Sequence, residues 1–239
     1  MPEEKHFDFA AGEVLAIHKP LNWTSFDVVN RLRSMIKHKL KLKLKVGHAG
    51  TLDPLAEGLL IICTGKFTKR IDEYQGQEKE YTGMFCIGAT TPCFDLEKPV
   101  DMHYPVDHIT DEMIHAAAQT FTGKIRQIPP HFSAIKVEGK RAYDLARAGT
   151  DAQLQPREVE ITTFEITRIE RKGQLIEADF RVVCGKGTYI RALAHDLGSA
   201  LGSGAYLGKL SRTRIGDIRL DQALSVDQVK AIIETLAPR

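Results

Sequence analysis

The sequence is short of several features, and each shortage excludes a class of protein. It has four cysteines, Cys63, Cys86, Cys93 and Cys184, none in a C-x-x-C pair and none beside a histidine at zinc spacing. That distribution fits neither a disulfide framework nor a metal knuckle, and predicts free thiols in a reducing compartment. Every apolar run falls far short of the roughly 20 residues that span a bilayer, and the opening stretch MPEEKHFDFAAGE is charged where a secretory leader would be apolar. An excess of one charge sign is missing too: 33 basic residues against 31 acidic ones leave +2, so only local clustering can mark a polyanionic partner. There is no serine-hydrolase elbow, Walker loop or H-E-x-x-H, no internal repeat and no low-complexity linker. What is present is 239 residues with 43% hydrophobic content, enough to bury a sizeable core in a soluble, cytoplasmic protein.

Local patterns then set out the elements. EVLAIH, residues 13 to 18, predicts a short strand, and Thr24 or Ser25 caps a helix with apolar positions at Phe26, Val29, Leu32 and Ile36. GLLIICTG after Asp53 predicts a buried strand or a helix end leading into one, and EYTGMFCIG at 80 to 88 a further strand. ITDEMIHAAAQTFTG has a Thr110 cap and a Gly123 stop. Pro129 and Pro130 break regular structure before a short basic helix that closes at Gly149. Residues 159 to 171 and 175 to 184 alternate as paired antiparallel strands do, GTYIRALAHDLGSALG opens a helix, and Ser225 with Gln228 forms a capping box for the last one. Without regular βαβ alternation, the expected class is α/β or α+β around a mostly antiparallel sheet flanked by helices. The economical description is one domain over 1–239, with a protruding segment near residues 129 to 157.

Chemistry concentrates in a few stretches. In KHKLKLKLKVGHAGTLDP, period two places Lys37, Lys39, Lys41, Lys43 and Lys45 on one face of an extended segment and Leu40, Leu42 and Leu44 on the other. Such a face suits phosphate, a solvated edge that deters pairing, or the frayed end of the preceding helix. Asp53 before Pro54 suits the start of a helix. Yet Gly47 and Gly50 allow a ligand close approach, and His48 and Thr51 add donors beside the carboxylate. In KGTYIRALAHDLG the G-K-G fragment lacks the third glycine of a dinucleotide loop. Tyr189 and Arg191 share a side there if the chain is extended, and Arg191 could clasp a buried carboxylate or form a surface ion pair. Tyr81 stands among charges, and Lys136, Lys140, Arg141 and Arg147 line an expected loop and helix. Basic residues interleaved with aromatics suit nucleic-acid backbone and base stacking, or else a solvated amphipathic helix.

Taken together, GHAGTLDPLAEGLL, the HKP at 18 to 20, KEYTG at 79 to 83, FSAIKVEGKRAYDLARAG and GKGTYIRALAHDLG closely resemble the bacterial tRNA pseudouridine-55 synthases, in the right order from about residue 13 to about 215. The resemblance implies a pseudouridine-synthase-like fold and isomerisation of one uridine in the TΨC loop of tRNA, with no cofactor and no metal. The uracil is detached at N1 and reattached to the same ribose through C5. By motif, Asp53 in GTLDP is the catalytic carboxylate, Tyr81 in KEYTG stacks on the uracil and assists late proton removal, and Arg191 in TYIR pairs with Asp53. Tyr189 would line the same pocket, with Lys19, Lys136 and Leu210 at further pocket positions. His48 would support the opened RNA loop without acid or base work.

The implied partner is the TΨC stem-loop, with no membrane and no obligatory protein partner, in a monomer. A base buried in a folded loop must be extruded and restacked, which accounts for Tyr81. An ionised carboxylate in a dry pocket needs a permanent cation, which accounts for Arg191. A tRNA-binding and refolding module without catalysis is the alternative, and retention of Asp53, Tyr81 and Arg191 together speaks for the enzyme. Two departures stand out. Pro92 and Cys93 occupy the place of an acidic T-D-T-like stretch, with Asp95 following. The chain also ends at Arg239, where many members continue into a PUA-type domain. The expectation is a compact enzyme whose segment near 129 to 157 acts as a thumb on the RNA.

Overall fold

A computed structural model describes residues 7–130, 132, 136–137, 140–141 and 154–237. In chain order it contains β1 (Val14–Lys19), α1 (Ser25–Leu40), β2 (Val46–Ala49), β3 (Ala56–Thr64), α2 (Ile71–Gly76), β4 (Lys79–Ile87), β5 (Ala89–Thr90), β6 (Met102–His103), α3 (Asp111–Thr120) and β7 (Gly123–Gln127). There follow β8 (Lys136–Val137), β9 (Lys140–Arg141), β10 (Arg157–Lys172), β11 (Leu175–Cys184), α4 (Ile190–Ala200), β12 (Ala205–Ile215), β13 (Ile218–Arg219), β14 (Leu224–Ser225) and α5 (Val226–Thr235). They fall into two compact units, Met1–Lys79 with Ser211–Arg239, and Glu80–Leu210. The class is the expected one, mixed α/β with mostly antiparallel pairing. Among the described residues no helix is long and apolar enough to cross a membrane.

The first unit is built on β3. β1 pairs antiparallel with one edge of it, Leu15 opposite Ile62 and Lys19 opposite Gly58, and β2 pairs with the other, Val46 opposite Thr64 and Ala49 opposite Ile61. Both faces of β3 are covered, which is why its sequence is a continuous apolar run and does not alternate. Leu60 and Ile62 join a core with Val28, Leu32 and Ile36 of α1 and Val229 and Ile233 of α5. Leu59, Ile61 and Cys63 enter a second core with Tyr74 and Ile215.

Helix α1 begins in a full capping box: Thr24 Oγ1 accepts from Asp27 N at 3.0 Å, and the Asp27 carboxylate accepts from Thr24 N at 2.8 Å. Its buried stripe runs through Val28, Val29, Leu32, Ile36 and Leu40. Phe26, expected in that stripe, is 54% exposed with the Arg33 guanidinium 5.7 Å from its ring centre; it lies off the stripe's edge in the first turn. The helix runs on to Leu40 and ends at Lys41, whose φ is +57°. Lys37 and Lys39 are therefore helical, and the alternation of exposed and half-buried side chains holds only over Lys41 to Lys45. There the lysines are exposed, while Leu42 and Leu44 pack against the core.

In the second unit β10 pairs antiparallel with β11 and β7. The buried positions of β10 change parity, from Val159 and Ile161 to Phe164 and Ile166. The register slips between Ile161 and Thr163 and again between Ile166 and Arg168. A bulge inserts one residue and so turns the following side chains to the other face; the sequence moves its apolar residues to match. Phe85 stacks on Phe180 at 4.0 Å between ring centres and meets Phe164 edge-on at 6.0 Å.

Two glycines allow strands to approach closely. A Cβ on Gly83 would lie 2.1 Å from the Lys209 carbonyl oxygen, and one on Gly58, where φ is +104°, would lie 2.4 Å from that of Arg212. Gly58→Ala is expected to lower stability by about 2 kcal/mol or more, the left-handed conformation and the overpacking adding together. Urea unfolding of the variant against the parent protein measures it.

Candidate active site

Asp53 sits in the connection between β2 and β3, half-buried, and the connection is pinned from several directions. Ser25 Oγ accepts from Leu52 N at 2.8 Å and donates to Leu52 O at 3.1 Å. Asn22 N donates to Pro54 O at 2.8 Å, and Ala56 N to Asp53 O at 3.1 Å. Pro54 opens a turn into β3, so the Asp53–Pro54 pair starts no helix, contrary to the local expectation. The main chain instead turns at Gly50, where φ is +86°.

The carbonyl of Gly50 is held by Arg212, which the sequence did not single out. Arg212 is 1% exposed. Its Nη2 donates to Gly50 O at 3.0 Å and its Nε to Leu59 O at 2.7 Å. Its only local signal was its place two residues beyond Leu210 in a strand-like stretch. Lys19, at the end of β1, is fully buried, and its Nζ donates to Pro20 O at 2.9 Å and to Trp23 O. Burial pushes the Lys19 ammonium down to about 8, with the charges of Asp53, Glu57 and Asp27 opposing and Arg212 adding to the fall. His48 in β2 is lowered below the ordinary histidine value by burial and then by Arg212, against a hydrogen bond with the Gly50 backbone. The imidazole therefore holds a proton less readily than a free histidine does. The first unit brings Lys19, His48, Asp53 and Arg212 into one electrostatic neighbourhood.

In the second unit Tyr81 is buried on β4, 9% exposed, two residues before the close approach at Gly83. Its neighbour Glu80 accepts from Arg181 Nε at 3.1 Å and Nη2 at 2.8 Å. Arg191 is in the first turn of α4, 4% exposed. Tyr189 is the N-cap, so the two do not share a side of an extended chain; the helix rotates them apart. Gln127 of β7, also unanticipated, exchanges two bonds with the Tyr189 backbone, accepting from its N at 2.8 Å and donating to its O at 3.0 Å. It places the helix start.

Arg191 donates from Nη1 to Cys93 O at 3.2 Å and from Nη2 to Phe132 O at 2.8 Å, with its Nε 3.5 Å from Asp95 Oδ2. Leu210 is half-buried on β12. Lys136 is placed in β8 opposite Arg141, while Arg147 and the helix expected up to Gly149 lie outside the described residues. Among the described residues no three His, Cys, Asp or Glu side chains cluster at metal-ligating distance.

Two solved structures share this architecture. A Cbf5-Nop10-Gar1 complex aligns with TM-score 0.68 and 28% identity over 93% of this chain, and an H/ACA RNP bound to a substrate RNA containing 2'-deoxyuridine with TM-score 0.64 and 26% identity over 91%. This chain spans about half of each, 54% and 52%. A family model described as TruB family pseudouridylate synthase, N-terminal domain, matches residues 37–190, and one described as the tRNA pseudouridylate synthase B C-terminal domain matches 191–237. Fold and sequence together define a pseudouridine synthase. Among its relatives, the chain is 54% identical to the tRNA pseudouridine synthase B of Parabacteroides distasonis over 95% of both chains, and 58% identical to that of Phocaeicola vulgatus over 92% of both. The chain belongs to the TruB family of pseudouridylate synthases.

The lowered Lys19 has a consequence for stability. Below about pH 8 the ammonium is charged in both folded and unfolded chains, and above the ordinary lysine value of 10.5 it is neutral in both. Between those values the unfolded chain holds the proton that the folded one has released, so Lys19's contribution to stability rises with pH. Urea unfolding of the parent and Lys19→Met from pH 7 to 10 should show the difference moving in the parent's favour above pH 8.

Proposed function

We propose that this protein converts one uridine of the tRNA TΨC stem-loop, position 55, to pseudouridine, with Asp53 as the catalytic carboxylate. The observation that carries the reading is the fixed connection of residues 50 to 55, in which the family's GTLDP carboxylate lies among buried cations. In the reaction the N1–C1′ bond breaks, a C5–C1′ bond forms, the proton on C5 is lost and one is gained at N1, so the product is an isomer. Tyr81 stacks on the extruded uracil and assists removal of the C5 proton, and Arg191 keeps Asp53 ionised and oriented. Tyr189, Lys19, Lys136 and Leu210 border the uridine, while His48 supports the opened loop.

The basic run adds support for a polyanionic partner. From residue 28 to residue 52 the chain has Arg31, Arg33, Lys37, Lys39, Lys41, Lys43 and Lys45, and neither Asp nor Glu. Gly65 N donates to Lys45 O at 2.8 Å, which sets the exposed Lys66 and Lys69 of the following turn beside the end of the run. We assign this face to RNA phosphates and residues 129 to 157 to a thumb on the RNA, in one catalytic domain. The protein works as a monomer in the cytoplasm, in keeping with free, buried cysteines.

Pseudouridine formation in an unmodified tRNA transcript tests the chemistry. The parent protein should form it, and Asp53→Asn should form none at equal RNA occupancy; tight RNA binding without product from the parent would instead favour a refolding module. For the basic face, replacing Lys41, Lys43 and Lys45 with Gln should flatten the dependence of log affinity on log salt by about 2 to 3, since each phosphate a lysine neutralises adds roughly 0.7 to 0.9 to the slope. An unchanged slope takes this face out of the interface.

A further inference from the structure

We propose that the face of α1 formed by Phe26, Asn30, Arg33 and Lys37 is a stacking site for an unpaired nucleobase of the substrate RNA, one beside the target uridine, with its phosphates on Arg33 and Lys37. The assignment rests on the reading of RNA as the substrate. Spacings of four, three and four residues put these side chains on one side of the helix, next to its buried stripe. All four are exposed. Among the described residues of the first unit, the large apolar side chains left exposed are Leu21 and Phe26.

Both stand next to residues that hold the catalytic connection. Asn22 N donates to Pro54 O at 2.8 Å, and Ser25 Oγ accepts from Leu52 N at 2.8 Å. Phe26 follows Ser25 directly, so its ring starts from the helical turn that is bonded to the residue before Asp53. The Arg33 guanidinium lies 5.7 Å from the ring centre. Its Nη1 donates to Asn30 Oδ1 at 3.2 Å and its Nη2 to Val46 O at 3.3 Å, which ties the far end of the strip to the start of β2, the strand that leads into the same connection. Both acceptors are uncharged, so the guanidinium keeps its charge beside an aromatic ring. Asp27, the acid of that turn, is drawn into the helix cap, its Oδ2 accepting from Thr24 N at 2.8 Å and Thr24 Oγ1 at 2.6 Å.

An aromatic ring, an exposed amide and two cations in a row match what a single-stranded nucleotide offers: a flat base, its polar edge and its phosphates. Extruding one base from an RNA loop strips its neighbours of a stacking partner. A ring fixed beside the catalytic carboxylate replaces that partner. Tyr81 is assigned to the target uracil itself, which leaves Phe26 for a neighbour.

The test uses the unmodified TΨC stem-loop with 2-aminopurine at one unpaired loop position at a time, the target excepted, and the protein in an Asp53→Asn background that holds the RNA unreacted. At one position binding should quench the fluorescence, and Phe26→Ala should restore it. Phe26→Ala and Phe26→Leu should each weaken binding of the unlabelled stem-loop about 5-fold to 20-fold, as loss of one stacked base does, with the salt slope unchanged. Phe26→Tyr keeps the ring and should bind within about twofold of the parent. Arg33→Gln should flatten the slope of log affinity against log salt by about 0.7, the share of one phosphate on a single strand. Parent-like affinity for Phe26→Ala or Phe26→Leu, or quenching that survives Phe26→Ala, overturns the proposal. So does self-association of the parent that Phe26→Ala abolishes while RNA affinity stands. Neither stem-loop binding nor pseudouridine from the protein with Asp53 intact would overturn the isomerase reading itself; product formed with indifference to Phe26 would overturn this site alone.

Discussion

Taking a lysine or arginine out of water costs several kcal/mol unless its N–H groups are met. Lys19, Arg191 and Arg212 are 0%, 4% and 1% exposed, and all three donate to main-chain carbonyls. A carbonyl satisfies the donor without cancelling its charge, whereas a carboxylate does both. Charge held in this way at Lys19 and Arg212 stays available to a carboxylate or a phosphate, while Arg191 also faces the Asp95 carboxylate at 3.5 Å. Its reach within the first unit is visible in His48 and Lys19, each pushed down in part by Arg212. Carbonyls that face inward at the right places require unusual backbone, and Gly50 at φ +86° supplies one of them.

That arrangement needs a rigid support. β3 is buried on both faces, between the helices α1 and α5 on one side and Tyr74 and Ile215 on the other. The Asp53 connection is therefore tied to an element that cannot shift without opening two cores. In the second unit Gln127 performs a similar task from a distance, completing the start of α4 where Tyr189 supplies no side-chain cap. Catalytic groups borne on loops gain precision when such partners hold the loop.

Much of the fold was legible because its causes are local. The Thr24 and Ser225 capping boxes, the Thr110 cap and the β10–β11 pairing all follow from residues a few positions apart. Misreadings occurred where two local solutions compete. Asp53–Pro54 suits a helix start as well as a turn, and the pairing of β2 with β3 selects the turn. The alternating lysines suit a strand as well as a helix end, and packing of Ile36 and Leu40 carries the helix through Lys37 and Lys39. Tyr189 and Arg191 were separated by a helix that begins one residue earlier than an extended chain would allow.

By itself the sequence determined the class of fold and the family and marked Asp53, Tyr81 and Arg191 as candidates, because motif chemistry and periodicity are written over short spans. Tertiary structure decided what surrounds them. Arg212 meets Gly50 across 162 residues, Arg191 meets Cys93 across 98, and Gln127 meets Tyr189 across 62. Nothing local distinguishes those side chains from others of their kind. A buried cation's partners are fixed by which carbonyls the folded chain turns toward it, and that is known only once distant strands and loops are in place.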